Sequence, residues 1–209
     1  MTGATPVVDA VLFDLGGVVV QLGGVEAMLR LAGMADDEDE EMWRRWFSCR
    51  WVRAFERGHC SPEDFAEGVA ADWALPVTGA QFLAEFRGWI VGPLPGATEL
   101  VAEVAGRVPV ACLSNTNAVH WEAGAARWDL LQLFAHRFLS FELGLVKPDT
   151  EMFVHACDAL GLEPERVLLL DDNRINVDAA SAAGLVARRT RGVAEARREL
   201  AALGLAATS

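Results

Sequence analysis

Ten residues near the start, Val11-Leu12-Phe13-Asp14-Leu15-Gly16-Gly17-Val18-Val19-Val20, limit what this chain can fold into. An apolar run of β-branched and aromatic residues without polar alternation reads as a strand buried on both faces, as in a parallel sheet. One carboxylate and two glycines interrupt it. An uncompensated Asp in such a run is costly unless a metal ion or a reacting phosphorus pairs with it. Glycines there let the backbone turn sharply and approach a ligand closely. Open α/β sheets bind ligands at the carboxyl ends of their strands. The stretch therefore reads either as a nucleophile presented at a strand end or as a plain strand exit, with Asp14 satisfying turn amides.

Other segments repeat the pattern. Val108 to Leu113 is a short apolar strand ending in Ser114-Asn115-Thr116-Asn117, and Val167 to Leu170 is another, ending in Asp171-Asp172-Asn173. Between them Phe138 to Pro148 is a strand and loop that delivers Lys147. Helical stretches separate these strands: one opened by Pro95-Gly96, one carrying Trp121 and Trp128, and one over Asp149 to Leu160. A further strand at Leu185 to Ala187 and a helix around Val193 to Leu203 complete the chain. Alternating strands and helices predict an α/β, Rossmann-like parallel sheet with right-handed crossovers. In such a sheet all the polar strand ends lie along one edge. Together they supply a carboxylate nucleophile, a hydroxyl and amide pair, a cation and a metal carboxylate. That set suits phosphoryl transfer, where positioning and charge neutralisation do most of the catalysis.

Between the first strand and about Val91 the pattern is helical. Asp36 to Glu41 is a run of six acids at a helix start, where negative charge suits the macrodipole. Ser61-Pro62 and Thr78 are helix-start signals. Behind them Phe65, Val69 and Trp73, then Phe82, Phe86 and Trp89, recur at helical spacing. Five of the seven tryptophans fall between Trp43 and Trp89, which reads as a compact helical insert with an aromatic core of its own. The expected division is a core domain of residues 1–21 and 93–209, with a helical cap of residues 22–92.

Composition narrows the partners. A formal charge of −12 argues against nucleic acid and anionic membranes. A small phosphorylated substrate remains compatible, because a metal and a lysine reverse the potential locally. No apolar run approaches the ~18 residues of a membrane span, and Met1 to Pro6 lacks a secretory pattern and reads as a frayed tail. Cys49, Cys60, Cys112 and Cys157 form no C-x-x-C pair and suit a reducing cytoplasm. Oligomeric state is not readable.

With Phe13-Asp14-Leu15-Gly16-Gly17-Val18, Leu113-Ser114-Asn115-Thr116-Asn117, Glu142 to Pro148 and Leu170-Asp171-Asp172-Asn173 in this order, the chain resembles the haloacid dehalogenase-like (HAD) hydrolase superfamily. It is most similar there to the bacterial α-D-glucose-1-phosphate phosphatase branch and to the N-terminal phosphatase domain of soluble epoxide hydrolase. The resemblance implies that Asp14 attacks phosphorus and forms an aspartyl-phosphate. It implies that Ser114 and the Asn115 amide hold phosphate oxygens, while Lys147 neutralises Asp14 and the phosphate. Mg²⁺ would be held by Asp14, Asp172 and the Gly16 carbonyl, oxygen donors that suit a hard cation. Asp171 would stand behind these ligands or bind through water, and Asn176 occupies a position where many relatives carry a further Asp.

One departure bears on mechanism. Most phosphatases of the superfamily carry a second Asp two residues after the nucleophile, as general acid; here that residue is Gly16. General acid catalysis is worth roughly 10²–10⁴-fold, so its loss slows an enzyme without abolishing it. The expected function is a Mg²⁺-dependent phosphatase of a small metabolite such as a sugar phosphate. A 2-haloacid dehalogenase and a non-catalytic binding protein on the same scaffold are the alternatives. In the insert, Arg57-Gly58-His59-Cys60-Ser61 reads as a solvated turn, or as a loop whose Arg57 or His59 reaches the substrate beyond its phosphate. Trp51 and Phe55, four apart on the preceding helix, would share one face of it.

Overall fold

A computed structural model of the chain describes residues 7–123 and 128–208. The tail Met1 to Pro6, expected to fray, lies outside them. The strands β1 (Ala10–Phe13), β4 (Val110–Ser114), β5 (His136–Leu139), β6 (Val167–Asp171) and β7 (Val186–Arg189) form one five-stranded sheet in the order β5-β4-β1-β6-β7. Every neighbour pair is parallel, and Phe13 lies in register with Cys112 on one side and Leu170 on the other. The strand that carries Asp14 is therefore central and hydrogen-bonded along both edges.

Both faces of this sheet are covered, which is why its strands lack polar alternation. Val11, Phe13, Val110, Cys112, Leu168 and Leu170 pack against Leu100, Val101 and Val104 of α6 (Ala97–Ala105) and Leu200 of α11 (Gly192–Ala202). The alternate residues Leu12, Ala111, Leu113 and Leu169 pack against Met152 and Phe153 of α9 (Thr150–Leu160) and Ala180 of α10 (Arg174–Ala182). Burying each such aliphatic or aromatic side chain contributes about 1.5–3 kcal/mol.

The helical insert consists of α1 (Gly24–Ala32), α2 (Asp39–Ser48), α3 (Arg50–Glu56), α4 (Pro62–Asp72) and α5 (Gly79–Phe86). The start signals act as read. The Ser61 side chain accepts from the Asp64 amide, and Thr78 with Gln81 forms a reciprocal capping box. The insert has a core of its own around Trp46, Phe55, Phe65, Phe82 and Phe86, with Phe55 stacked on Phe65 at 4.2 Å. Trp51 only borders this core from the partly buried margin, whereas its helix-mate Phe55 is inside it.

Three details differ from the sequence reading. The helical pattern stops short of Val91: Ile90–Pro93 is a strand, β3, paired antiparallel with β2 (Val20–Leu22), so the insert leaves and rejoins the core through a two-stranded ribbon. Such short strands, one interrupted by Gly92 and closed by Pro93, carry too few residues for a period to show. Trp121 lies on α7 (Ala118–Ala123), but Trp128 precedes a separate 3-10 turn over Asp129–Leu133. The segment after β5 opens with one helical turn, α8 (Ser140–Leu143), before the Lys147 loop.

Candidate active site

Along the carboxyl edge of the sheet the polar strand ends converge beneath the helical insert. They line one chamber of about 1040 Å³, part of it open to solvent, with Asp14, Gly16, Ser114, Asn115, Lys147, Asp172 and Asn176 all contributing.

Lys147 organises the charge. Its ammonium is 1% exposed and sits 3.0 Å from Asp14 Oδ1 and 2.6 Å from Asp171 Oδ2. A buried cation is tolerated when it is paired this way, and the two carboxylates hold its pKa above the ordinary lysine value despite burial. Its backbone is clamped by Asn115, whose Oδ1 accepts from the Lys147 amide at 2.8 Å and whose Nδ2 donates to the Lys147 carbonyl at 2.9 Å. The Asn115 side chain is thus committed to the lysine loop, leaving only its backbone to meet a phosphate. Ser114 is buried, and its hydroxyl makes a single long contact of 3.5 Å to the Asn115 carbonyl.

On Asp14, both the Leu15 amide and Lys147 engage Oδ1. Among the described residues nothing hydrogen-bonds Oδ2. One oxygen is anchored and the other is free to react, as a nucleophile requires. Burial raises the Asp14 pKa to about 7, Lys147 opposes the rise and the Asp171 charge adds to it. Asp172 is pushed up to about 8, mainly by burial and then by the charges of Asp14 and Asp171. Three acids sharing so small a volume call for a compensating cation beyond Lys147.

The donor set fits such a cation. Carboxylate oxygens of Asp14, Asp171 and Asp172 lie within 4.8 Å of one another. Those of Asp171 are already saturated by Lys147, the Asn173 amide and the Asn176 Nδ2 group, so Asp171 holds the lysine in place. Asp172 and Asp14 retain open oxygens. Gly17 has φ +69°, and a β-carbon there would lie 2.6 Å from the Asp172 Cγ, so only glycine leaves room for this carboxylate. The Asn176 Oδ1 is buried without a partner. An orphaned acceptor beside an oxygen-rich cluster suits a hydrated hard cation, whose waters donate.

Some lining residues gave no sequence signal. Glu56, the last residue of α3, enters the chamber from the insert, 9% exposed. Its Oε1 accepts from Trp46 Nε1 at 3.3 Å and its Oε2 from Asn115 Nδ2 at 3.1 Å. His120 also lines the chamber, its Nε2 bonded to the Phe86 carbonyl at 2.7 Å and its Nδ1 facing Asn117 Nδ2 at 3.3 Å. That arrangement, with burial lowering its pKa, describes a neutral imidazole whose one N–H is used. The remaining walls are apolar: Trp43, Trp46, Phe47, Phe86 and Trp89 from the insert or its edge, with Met28 and Met42. The sequence reading took these aromatics as packing; they also face the site.

Of the two readings of the Arg57 to Ser61 loop, reaching the substrate is not the one the structure supports. Arg57 pairs with Asp149, as does Arg53 at 2.7 Å, so both guanidinium groups tie the insert to the start of α9. His59 stands beside Gly144, and neither Arg57 nor His59 lines the chamber. Opposite, Arg191 meets Asp39 at 3.2 Å, so the acidic run opens α2 and also touches the core.

A parallel sheet presents a half-free carboxylate, a buried lysine and an acidic pair at one edge beneath a helical cover, an arrangement that suits a hydrolase. The chain belongs to the haloacid dehalogenase-like hydrolase family, whose model matches residues 8–184. It is 29% identical over 189 residues to the sesquiterpene phosphatase astK of Aspergillus oryzae, covering 85% of this chain and 87% of that one. The fold is shared with the HAD family enzyme bt-2542 of Bacteroides thetaiotaomicron, whose complex with magnesium and inorganic phosphate superimposes with a TM-score of 0.65 at 22% identity, over 88% of this chain and 94% of that one. The L-2-haloacid dehalogenase of Xanthobacter autotrophicus is similar at a TM-score of 0.58 and 20% identity, over 88% and 77%.

Proposed function

We propose that the protein is a Mg²⁺-dependent phosphatase that hydrolyses a small phosphate monoester with an apolar body. The observation that carries this reading is the two-part chamber, charged on its floor and aromatic on its walls. Phosphate chemistry accounts for the floor. Asp14 Oδ2 attacks phosphorus, Lys147 neutralises the gathering charge, and the Ser114 hydroxyl with the Asn115 amide holds phosphate oxygens. Asp14, Asp172 and the Gly16 carbonyl would hold Mg²⁺, which supplies charge neutralisation to the phosphoryl oxygens. Asp171 and Asn176 act behind them, one fixing Lys147 and the other offering its free Oδ1.

The walls decide the substrate class. A sugar presents hydroxyls that need partners, whereas Trp43, Phe47, Met28 and Trp89 bring apolar side chains to the lining. The similarity to a sesquiterpene phosphatase supports a hydrocarbon body in preference to the sugar phosphate anticipated from the sequence. In this reading residues 22–92 form a cap that selects the substrate, over a core of 1–21 and 93–209 that performs the chemistry.

A dehalogenase is the second reading, favoured by Gly16 and by the likeness to the Xanthobacter enzyme. The paired Asp171-Asp172 speaks against it, since halide displacement requires no metal site. The test combines para-nitrophenyl phosphate and a series of n-alkyl phosphates, with Mg²⁺ or EDTA, and chloride release from 2-chloropropionate. The proposed activity requires Mg²⁺, and kcat/KM rises about fourfold per added methylene, since each buried CH₂ contributes ~0.8 kcal/mol. A flat series refutes the apolar chamber as the substrate site. Metal-independent chloride release establishes the second reading.

A further inference from the structure

An alkyl leaving group departs as a strongly basic alkoxide unless it is protonated, and the residue that usually supplies the proton in such a site is absent here. A β-carbon at Gly16 would lie 2.7 Å from Leu22 Cδ1, the movable end of a β2 side chain that occupies this space. The proton must come from elsewhere.

In-line displacement places the leaving oxygen on the side of phosphorus away from the attacking carboxylate. Asp14 belongs to the core floor, so the leaving oxygen faces the insert. The chamber lining contains few groups able to donate a proton there. Asp14 is the nucleophile and Asp172 lies in the metal cluster. His120 is neutral, and its one N–H is spent on the Phe86 carbonyl. Glu56 is the carboxyl group that enters from the insert, held through Oε2 to Asn115, next in the chain to Ser114.

Resting on the phosphatase reading, we infer that Glu56 is the general acid of this enzyme, delivered by the helical insert in place of the residue missing at position 16. Burial strengthens its hold on that proton. Burial is the dominant influence and raises its pKa to about 7, against the opposing effects of Trp46 and Asn115, which donate to it, and of the Lys147 and Arg53 charges. In the first step the Asp14 Oδ2–P bond forms and the P–O bond to the alkyl group breaks. The Glu56 proton passes to the departing oxygen, releasing the alcohol and leaving Glu56 as a carboxylate. In the second step water attacks the aspartyl phosphorus and yields its proton to Glu56. Breaking the Asp14–P bond then releases inorganic phosphate and restores both residues.

The experiment compares wild type, Glu56→Gln and Glu56→Ala on n-octyl phosphate and para-nitrophenyl phosphate. Nitrophenolate leaves without a proton, so it reads nucleophile and metal alone. Glu56→Gln is expected to lower kcat/KM on n-octyl phosphate by about 10²–10⁴-fold while changing para-nitrophenyl phosphate by less than about tenfold. Added formate is expected to restore part of the n-octyl phosphate activity of Glu56→Ala by re-supplying an acid in the vacated space. Equal losses on both substrates in both variants, with no formate rescue, would assign Glu56 to holding Asn115 and Lys147 and overturn the proposal. If wild type hydrolyses neither ester with Mg²⁺, the phosphatase reading itself fails.

Discussion

Gly17→Ala separates the cost of backbone geometry from the cost of crowding the acidic cluster. With φ +69° the residue occupies the left-handed region, where a side chain costs about 1–2 kcal/mol. For a chain of this size that lowers Tm by roughly 2–8 °C. The new methyl would also collide with the Asp172 carboxylate, which must swing away from Asp14. Gly33 provides the control. Its φ is +65°, yet a β-carbon there meets nothing within 4 Å, and it closes α1 away from the chamber. Both variants should lose similar stability in thermal melts. Only Gly17→Ala should raise the Mg²⁺ concentration for half-maximal para-nitrophenyl phosphate hydrolysis, by about 10–100-fold, the usual consequence of displacing a group that shapes a metal site. A wild-type Mg²⁺ requirement in Gly17→Ala would refute the placement of Asp172 at the metal.

Further tests address other parts of the site. Asp14→Asn should abolish turnover of every phosphate ester while leaving the melting curve near wild type; residual activity within about tenfold of wild type would remove Asp14 as nucleophile. Lys147→Ala should cost about 3–5 kcal/mol in urea titration, because it strands two buried carboxylates, and a change below about 1 kcal/mol would contradict the burial of this pair. Alkyl phosphate hydrolysis should fall as pH rises through about 7, because Glu56, facing Lys147, Arg53, Trp46 and Asn115, carries its proton below that value and loses it above. A Glu56→Gln profile retaining that alkaline fall would assign it to another group.

The sheet and its polar edge could be read in the chain because buried parallel strands are nearly continuous apolar runs. Val11 to Phe13 and Val167 to Leu170 announce themselves, and Asp14, Ser114 and Asp171 stand out as the polar residues that end them. Lys147 was placed by the strand and loop that end at it, and the family pattern then gave it a role. Glu56 had no such contrast: a glutamate ending a helix that also carries Arg50 and Arg53 looks like an ordinary solvated residue, and only the tertiary packing of α3 over Asn115 buries it. Trp46 and Phe86 posed the opposite difficulty. Helical spacing showed that they are buried, but not that the same rings face both a core and a cavity. Arg57 stayed open between solvent and substrate because its partner, Asp149, is distant in sequence.

The ribbon of β2 and β3 sets Val20 against Pro93 as strand partners, so the long stretch between them begins and ends at neighbouring points. Closing such an excursion costs little more for a long segment than for a short one, about 0.6 kcal/mol for each doubling of length. Descendants of this chain can therefore lengthen, trim or exchange that excursion while the register of the strands behind it stays unchanged. If the acid rides on the excursion, exchanging it alters in one event both the molecule admitted and how readily its alcohol is released.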